Sequence, residues 1–505
     1  MYIQPNSTIQ IMRGVPLTTG YRDTLYFASA AAQESWFTAK VVYTFNSQSY
    51  QRVNKNTCRV EINAESIYNC NYMRFKNTAF GSKWFYAFIT SVEYVNNTVS
   101  EITYEIDILQ TWHFDYVLGK CYVEREHTLT DVVGEHTLPE PVDQGNAICQ
   151  SVTPAGFNEI GLMILFYASG SQAARITEGT FVGCNSYCYS IDDLDPDPIP
   201  AIQQIIDDFA SSSGGFESLA GFYLAPFKFH EANTLTPHTE TVTINRPTTI
   251  SGFTPNNKKL LTYPYTYLVA DSLTDSNVYR FEYFKGNSAP TFLAVGTTYG
   301  APSIICAPQN YEMENLTNYT MQVSMGGYPQ CAMPVDSYKQ WMASNLGSSL
   351  LSIGAGAASM AAGAATSNPM MMIGGAMGMA NAISKDITES TRMNTSRGSI
   401  NNYANIANRS KDIYFKLMQV NYEKARALDD FFSRYGYECE RVKIPNRNVR
   451  KRWTYTKTKS CVVKGNVPAD DLERIAAIFD AGITFWTTNG DLGDYVMDDN
   501  GTGVG

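Results

Sequence analysis

Histidines, cysteines and clustered carboxylates carry most acid–base, nucleophilic and metal chemistry, and this chain holds few of them at a useful spacing. Its five histidines are His113, His127, His136, His230 and His238. None forms HExxH or HxH, and His127 and His136 are spaced too loosely for a zinc pair; the five are expected as surface or turn residues. Cys184 and Cys188 have three residues between them and no matching second pair, which supports neither a zinc ribbon nor a CxxC redox site. Glu124, Glu126, Glu135 and Glu140 cluster in sequence, and a glycosidase needs two carboxylates, but such pairs are defined by separation in space. The run Asp192-Asp193-Leu194-Asp195-Pro196-Asp197-Pro198 lacks the Gly and distal Glu of a calcium loop, and proline breaks its ligand alternation, so a solvated loop is expected. With no GxSxG elbow and no P-loop, the expectation is a protein that is not an enzyme, with no cofactor and no metal.

The chemistry therefore has to lie in architecture. At 505 residues the chain exceeds one ordinary core, and two or three domains are expected. Hydrophobic residues make up 44% and charged ones 17%, with 33 Tyr and 25 Phe, a mixture that favours a mainly β (α+β) fold. The formal net charge of -10 argues against general affinity for nucleic acid phosphates, which cationic side chains drive; ordinary solubility is its simplest account. Ten cysteines lack a repeated spacing, and Met1-Tyr2-Ile3-Gln4-Pro5-Asn6 does not open a signal peptide. Free thiols made in a reducing cytoplasm are expected, and the sequons at Asn315 and Asn318 then carry nothing.

Up to about residue 150 strand follows strand. Asn96-Asn97 offers a turn, after which Ile102, Tyr104, Ile106 and Ile108 fall on one face and Thr103, Glu105 and Asp107 on the other. Lys40 to Phe45 and Trp84 to Tyr94 read as further strands. Residues 151–335 form a second β-rich stretch, with a short helix expected from Ile199 to Phe209. A long packing helix is expected from Asn402 to Tyr435, with Ile406, Ile413, Leu417, Val420, Leu428 and Phe431 near one face and Gly436 ending it. Strands return between Trp453 and Val463, and a helix from Pro468 to Asp480 turns Leu472, Ile475, Ala476 and Phe479 inward before Gly482. The end from Asp491 to Gly505, acidic and Gly-rich, is expected to fray.

Between Gln340 and Ser384 there is no charged residue and no His, and composition shifts to Gly, Ala, Ser and Met. Asn368-Pro369 divides this segment. Leu346 to Thr366, about the length of a bilayer-crossing helix, carries Leu346, Gly347, Leu350, Leu351, Ile353, Gly354, Gly356, Met360 and Gly363. The shorter arm carries Met370, Met371, Met372, Ile373, Gly374, Gly375, Met377, Gly378, Met379 and Ile383. The whole reads as a hairpin. Gly374 and Gly378 have the GxxxG spacing that allows close helix contact, and Met side chains repack readily, so the segment suits two environments. Each Gly weakens a helix by about 1 kcal/mol relative to Ala, which makes loose arms the expectation in water.

Several passages resemble one family. Ile102-Thr-Tyr-Glu-Ile-Asp-Ile-Leu-Gln-Thr-Trp-His-Phe-Asp115, Tyr122-Val-Glu-Arg-Glu-His127 and Gly134-Glu-His-Thr-Leu-Pro-Glu140 resemble the N-terminal part of the tail knob proteins of phi29-like short-tailed bacteriophages. Arg452-Trp-Thr-Tyr-Thr-Lys-Thr-Lys-Ser-Cys461, Gly465-Asn-Val-Pro468 and Ile478-Phe-Asp-Ala-Gly-Ile-Thr-Phe-Trp486 are similar to its C-terminal signature, although Thr487-Thr488 follows where a His is expected. The resemblance implies a homohexameric tube of β-barrel-like domains, closed at its tip by hydrophobic loops that leave the lumen and form a pore in host membrane lipid. Leu346 to Thr366 and Met370 to Ser384, with Pro369 between them, are then the plug. It further implies as partners the proximal tube or collar, a tip cell-wall-degrading protein, and phage DNA passing through the lumen without sequence-specific binding; an acidic wall would let that DNA slide. The expected division is 1–150 tube domain, 151–335 knob domain, 336–400 plug loop and 401–505 return to the tube. Localisation is the virion tail tip, after assembly in the host cytoplasm.

Three other readings make different demands. A purely structural tail or collar component predicts no membrane activity. A tail-associated cell-wall hydrolase predicts activity lost on changing one carboxylate and unaffected by deleting 340–384. An integral membrane protein sits poorly with aromatic β flanks and the lack of a second apolar span.

Overall fold

The computed structural model describes residues 6–48, 56–157, 160–167, 180–181, 184–190, 219–226, 239–286, 288–297, 303–312, 321–326, 330–332, 398–399, 412–488, 490 and 492–495. The charge-free segment, the Asp192–Pro198 loop, the helix expected at 199–209, His230 and His238 lie outside these residues.

The chain opens with β1 (Ser7–Met12), β2 (Asp23–Leu25), α1 (Ala30–Thr38), β3 (Val41–Gln48), β4 (Thr57–Val60) and α2 (Ala64–Ile67). It continues with β5 (Tyr72–Lys76), β6 (Phe85–Asn96), β7 (Val99–Ile106), α3 (Ile108–Thr111), β8 (Tyr116–Leu118) and β9 (Cys121–Glu126). The middle contributes β10 (Ala147–Pro154), β11 (Ile160–Tyr167), β12 (Thr180–Phe181), β13 (Cys184–Ser190), β14 (Leu219–Pro226), β15 (Thr239–Thr243) and β16 (Thr266–Asp271). After β17 (Ser276–Tyr279) come β18 (Thr291–Thr297), β19 (Ser303–Pro308), β20 (Val323–Met325), β21 (Gln330–Ala332), β22 (Gly398–Ser399) and β23 (Tyr414–Val420). The last part holds α4 (Tyr422–Tyr435), β24 (Tyr437–Lys443), β25 (Trp453–Lys459), β26 (Val463–Gly465), α5 (Ala469–Ala481) and β27 (Ile483–Trp486). The fold is mainly β with a few helices.

Two units divide the chain: Met1–Asp143, Thr254–Leu260 and Glu423–Gly505 form one, and Gln144–Phe253 with Leu261–Tyr422 form the other. The first unit holds a six-stranded antiparallel sheet, β3-β1-β5-β6-β7-β4, and a five-stranded sheet, β2-β27-β25-β9-β24. In the second sheet only β2 and β27 run parallel, and two strands from the first 126 residues, β2 and β9, are interleaved with three that follow residue 436. β5 is buried on both faces, as a central strand should be: Tyr72 enters the core that contains Phe37, Trp453 and Trp486, while Met73 and Phe75 join Ile9, Ile11 and Ile102. The other unit holds the sheets β10-β23-β16-β17, β12-β13-β11-β14-β21-β22 and β15-β18-β19-β20. Its core packs Phe157, Leu268, Tyr279, Phe284, Phe292 and Phe415.

The hairpin expected at Asn96-Asn97 joins β6 to β7, with Asn96 Oδ1 accepting the Thr98 N–H at 2.9 Å. Ile102 and Tyr104 are buried as expected, but the alternation stops at Ile106. Asp107, expected on the outer face, is buried instead: its carboxylate caps α3 by accepting the Gln110 N–H (3.0 Å) and also accepts the Tyr72 hydroxyl (2.8 Å). Burial raises its pKa from the ordinary 3.8 to about 6.

The long helix expected from Asn402 is corrected. Residues 414–420 are β23, the central strand between β10 and β16, and the helix begins at Tyr422. Ile413, Leu417 and Val420 fit a helical period, yet Ile413, Phe415 and Leu417 fit a period of two equally well, and ladders on both sides decide for strand. The buried face of α4 is Ala425, Leu428, Asp429 and Phe432, so Phe432 rather than Phe431 is the core residue. Gly436 ends α4 at φ +66°, and a Cβ there would meet the Glu126 carbonyl oxygen at 2.1 Å. α5 matches expectation, with Ile475 and Phe479 buried and Gly482 following at φ +94°. Tyr495 does not fray: its ring packs on Trp453 and Trp486, and its hydroxyl donates to Asp23 Oδ1 at 3.1 Å.

Candidate functional site

The four glutamates singled out for carboxylate chemistry sit on or beside β9, and the two buried ones are fully committed. Glu126, without solvent exposure, accepts the Asn446 N–H at 3.1 Å on Oε2 and pairs with Lys443 through Oε1. Glu140 accepts the Glu438 N–H at 3.0 Å, and its oxygens pair with Lys259 and Arg125. Arg125 also donates to the Gly436 carbonyl (2.7 Å) and Glu438 (3.1 Å) and lies over the Phe431 ring at 4.9 Å. Glu124 pairs with Lys457 at 2.6 Å near the surface, and Glu135 accepts the Thr130 hydroxyl at 2.9 Å. An acid or nucleophile must present a free oxygen to substrate, and the two buried carboxylates, Glu126 and Glu140, are spent on bracing instead.

The same brace secures residues 254–260. Asp429 accepts the N–H groups of Asn256 (3.1 Å) and Asn257 (2.9 Å), and Asp131 accepts the Lys258 N–H at 3.0 Å and the Tyr437 hydroxyl at 2.9 Å. Burial lowers the pKa of Lys259, against the pull of Glu140. Sequence spacing held no signal for this arrangement, because its partners lie more than a hundred residues apart.

The expectation of surface histidines is corrected for His113 and His127. His113 is buried, with Nε2 3.2 Å from the Phe27 N–H and 3.0 Å from the Phe27 carbonyl oxygen, and burial lowers its pKa to about 4. His127 is wholly buried: Nδ1 accepts the Tyr455 N–H at 2.8 Å and Nε2 lies 3.1 Å from the Ser433 carbonyl oxygen. That pair of contacts fixes the neutral, Nε2-protonated ring, and burial, aided by the Arg450 charge, holds its pKa well below 6.5. His136 is partly exposed and stacks on Tyr437 at 4.7 Å between centroids. Among the described residues no group of three His, Cys, Asp or Glu could hold a metal ion.

A cavity of about 690 Å³ opens in the other unit, lined by Tyr263, Tyr267, Tyr283, Tyr311, Arg280 and Asn146 among others. Arg280 lies over the rings of Tyr263 (4.0 Å) and Tyr283 (5.3 Å). Among the described residues, no carboxylate or histidine lines it. Cysteines 58, 70, 121, 149, 306, 439 and 461 are free thiols. None of the described helices is long and apolar enough to cross a membrane, and the expected plug, from Leu346 to Ile383, falls outside the described residues.

The described chemistry is thus that of a braced scaffold, and comparison with known proteins agrees. Residues 5–117 match the caudoviral major tail protein N-terminus. The tail knob proteins gp9 of Bacillus phages PZA and B103 are each 23% identical to this chain, over 590 and 593 residues, covering 97% of it and 98% of their own length. The solved tail knob protein gp12 of bacteriophage C1 shares the fold at a TM-score of 0.65 and 12% identity, covering 98% of this chain and 99% of its own. Residues 228–500, more than half of the chain, match the C-terminal domain of tail knob protein gp9 of Bacillus phage phi29, and the chain accordingly belongs to the tail knob family of phi29-like phages, a family of structural tail proteins.

Proposed function

We propose that six copies of this chain form the closed distal end of a DNA-ejection conduit, and that the segment from Leu346 to Ser384 plugs the lumen, leaves it at infection and opens a pore in host membrane lipid. Residues 1–150 and 401–505 supply the tube, 151–335 the knob and 336–400 the plug. The proximal tube or collar and a tip cell-wall-degrading protein are its neighbours, and DNA passes an acidic wall without sequence-specific binding. One observation carries the reading: a tail knob protein holds a charge-free run from Gln340 to Ser384, divided by Asn368-Pro369. Six such hairpins gathered in a ring would cover apolar surface that each exposes alone, and lipid would later receive them as helices with every backbone group satisfied.

Dye release from liposomes by the full chain and by a variant lacking residues 340–384, with ring assembly followed by electron microscopy, tests this. Release by the full chain that vanishes with the deletion while rings persist is expected. Well-formed rings that release no dye at any pH would instead favour a purely structural tail component.

A further inference from the structure

The register between β9 and β25 places two cysteines beside each other that lie far apart in sequence. On one side of them the Gly119 N–H donates to the Val462 carbonyl at 2.7 Å, and on the other Tyr122 pairs with Lys459. Lys120-Cys121 therefore faces Ser460-Cys461. A regular antiparallel ladder would send Cys121 and Cys461 to opposite faces, but Ser460 takes a left-handed conformation (φ +58°) that breaks the alternation. The two residues are diagonal neighbours across the strands and act on each other electrostatically, and both are free thiols. Cys121 is buried, at 5% exposure, while Cys461 is half-buried.

We infer that Cys121 and Cys461 form a redox pair that closes into a disulfide by exchange with a low-molecular-weight disulfide of the glutathione type once the protein leaves a reducing compartment. The Cys461 thiolate attacks one sulfur of the small disulfide, giving a mixed disulfide and releasing one small thiol. Cys121 then loses its proton to solvent and attacks the Cys461 sulfur, expelling the second small thiol. Two protein thiols are oxidised and one small disulfide is reduced. The product ties β9 to the β25–β26 connection, closing a chain segment that contains all of the second unit, Gln144–Phe253 and Leu261–Tyr422.

The surroundings set the speed. Burial, then the neighbouring Cys121 and Asp480, raise the Cys461 pKa to about 12, while a hydrogen bond with Thr458 lowers it; Tyr116 also lies within electrostatic reach. At pH 8 only about one Cys461 in ten thousand is then a thiolate. Closure should be slow near neutral pH and quicken about tenfold per pH unit.

The full chain, purified in reductant, is transferred to oxidised glutathione at pH 8 and pH 9.5, quenched with acid, alkylated and mapped by peptide mass spectrometry. The expected result is a linked Cys121–Cys461 peptide that accumulates faster at pH 9.5, and a Cys121→Ser variant that retains glutathione on Cys461. Exposed Cys149 serves as the internal control. Full alkylation of Cys121 and Cys461 at pH 9.5, after an incubation roughly a hundredfold longer than Cys149 needs to become glutathionylated, would overturn the inference. So would glutathione that persists on Cys461 in the unmutated chain. Because the unmutated chain alone supplies both outcomes, the test stands even if the variant fails to fold.

Discussion

At the scale of single residues, three buried titratable groups make opposing demands on pH. His113 and His127 have folded pKa values below their ordinary 6.5, so the unfolded chain binds those protons more readily and stability falls as pH drops below about 6.5. For His113, displaced to about 4, the full loss is about 3 kcal/mol. Asp107 acts the other way: raised from 3.8 to about 6, its contribution is present below 3.8 and is lost as pH rises through 6. Between pH 4 and 6 the signs offset. Asp107→Asn keeps a capping oxygen for α3 but removes the opposing proton, so its urea midpoint should fall more steeply from pH 7 to pH 5 than that of the unmutated chain. Parallel curves would mean that Asp107 does not titrate in that window. The carboxylates give a second contrast. Glu140→Gln removes the carboxylate charge that pairs with buried Lys259 and leaves Arg125 with Glu438 as its ion pair, and should cost about 3 to 5 kcal/mol in denaturant unfolding. Glu124→Gln loses only the half-exposed pair with Lys457, and a change under about 1 kcal/mol is expected.

At the scale of elements, α4 and the charge-free hairpin carry the sharpest tests. Phe432 is buried against Tyr437, whereas neighbouring Phe431 is half-buried over Arg125. Phe432→Ala should destabilise by about 3 to 5 kcal/mol and Phe431→Ala by clearly less, read from unfolding midpoints. Equal losses would return Phe431 to the core face that periodicity assigned it. In the hairpin, Asp at Ile353, Met371 or Gly375 should leave ring assembly intact and abolish dye release, because a charge near the bilayer centre costs about 2.5 to 3.5 kcal/mol; full release by all three would rule the segment out as the pore. Legibility followed how local each signal was. The β6–β7 hairpin and α5 declared themselves through adjacent residues, Asn96-Asn97 and the run from Leu472 to Gly482. β23 did not, because its apolar residues satisfy two periods and only its partners, β10 and β16, choose between them. His127 was misplaced for the same reason: the groups that bury and bond it, at Ser433 and Tyr455, are more than three hundred residues away.

At the scale of the whole molecule, the family was readable at both ends of the chain, where Ile102–Asp115 and Arg452–Trp486 bear its motifs. Of the motif-bearing passages, Tyr122–His127 and Arg452–Trp486 meet in one sheet, since β9 lies between β24 and β25, while Ile102–Asp115 runs through β7 in the six-stranded sheet. The middle was not readable, and at 23% identity over nearly the full length the relatives differ from this chain at most positions. The brace and the core account for the first unit, while the proposed opening of a membrane rests on a segment whose behaviour the liposome experiment decides. The interleaving of β2 and β9 with β25 and β27 has a consequence for synthesis. A ribosome adding about 5 to 20 residues per second delivers β9 many seconds before its neighbours in the sheet exist. In that interval β9 lacks both of its partners in the finished sheet, β24 and β25. Completion of this sheet is thereby timed by translation itself: only a chain read past Trp486 supplies all five of its strands.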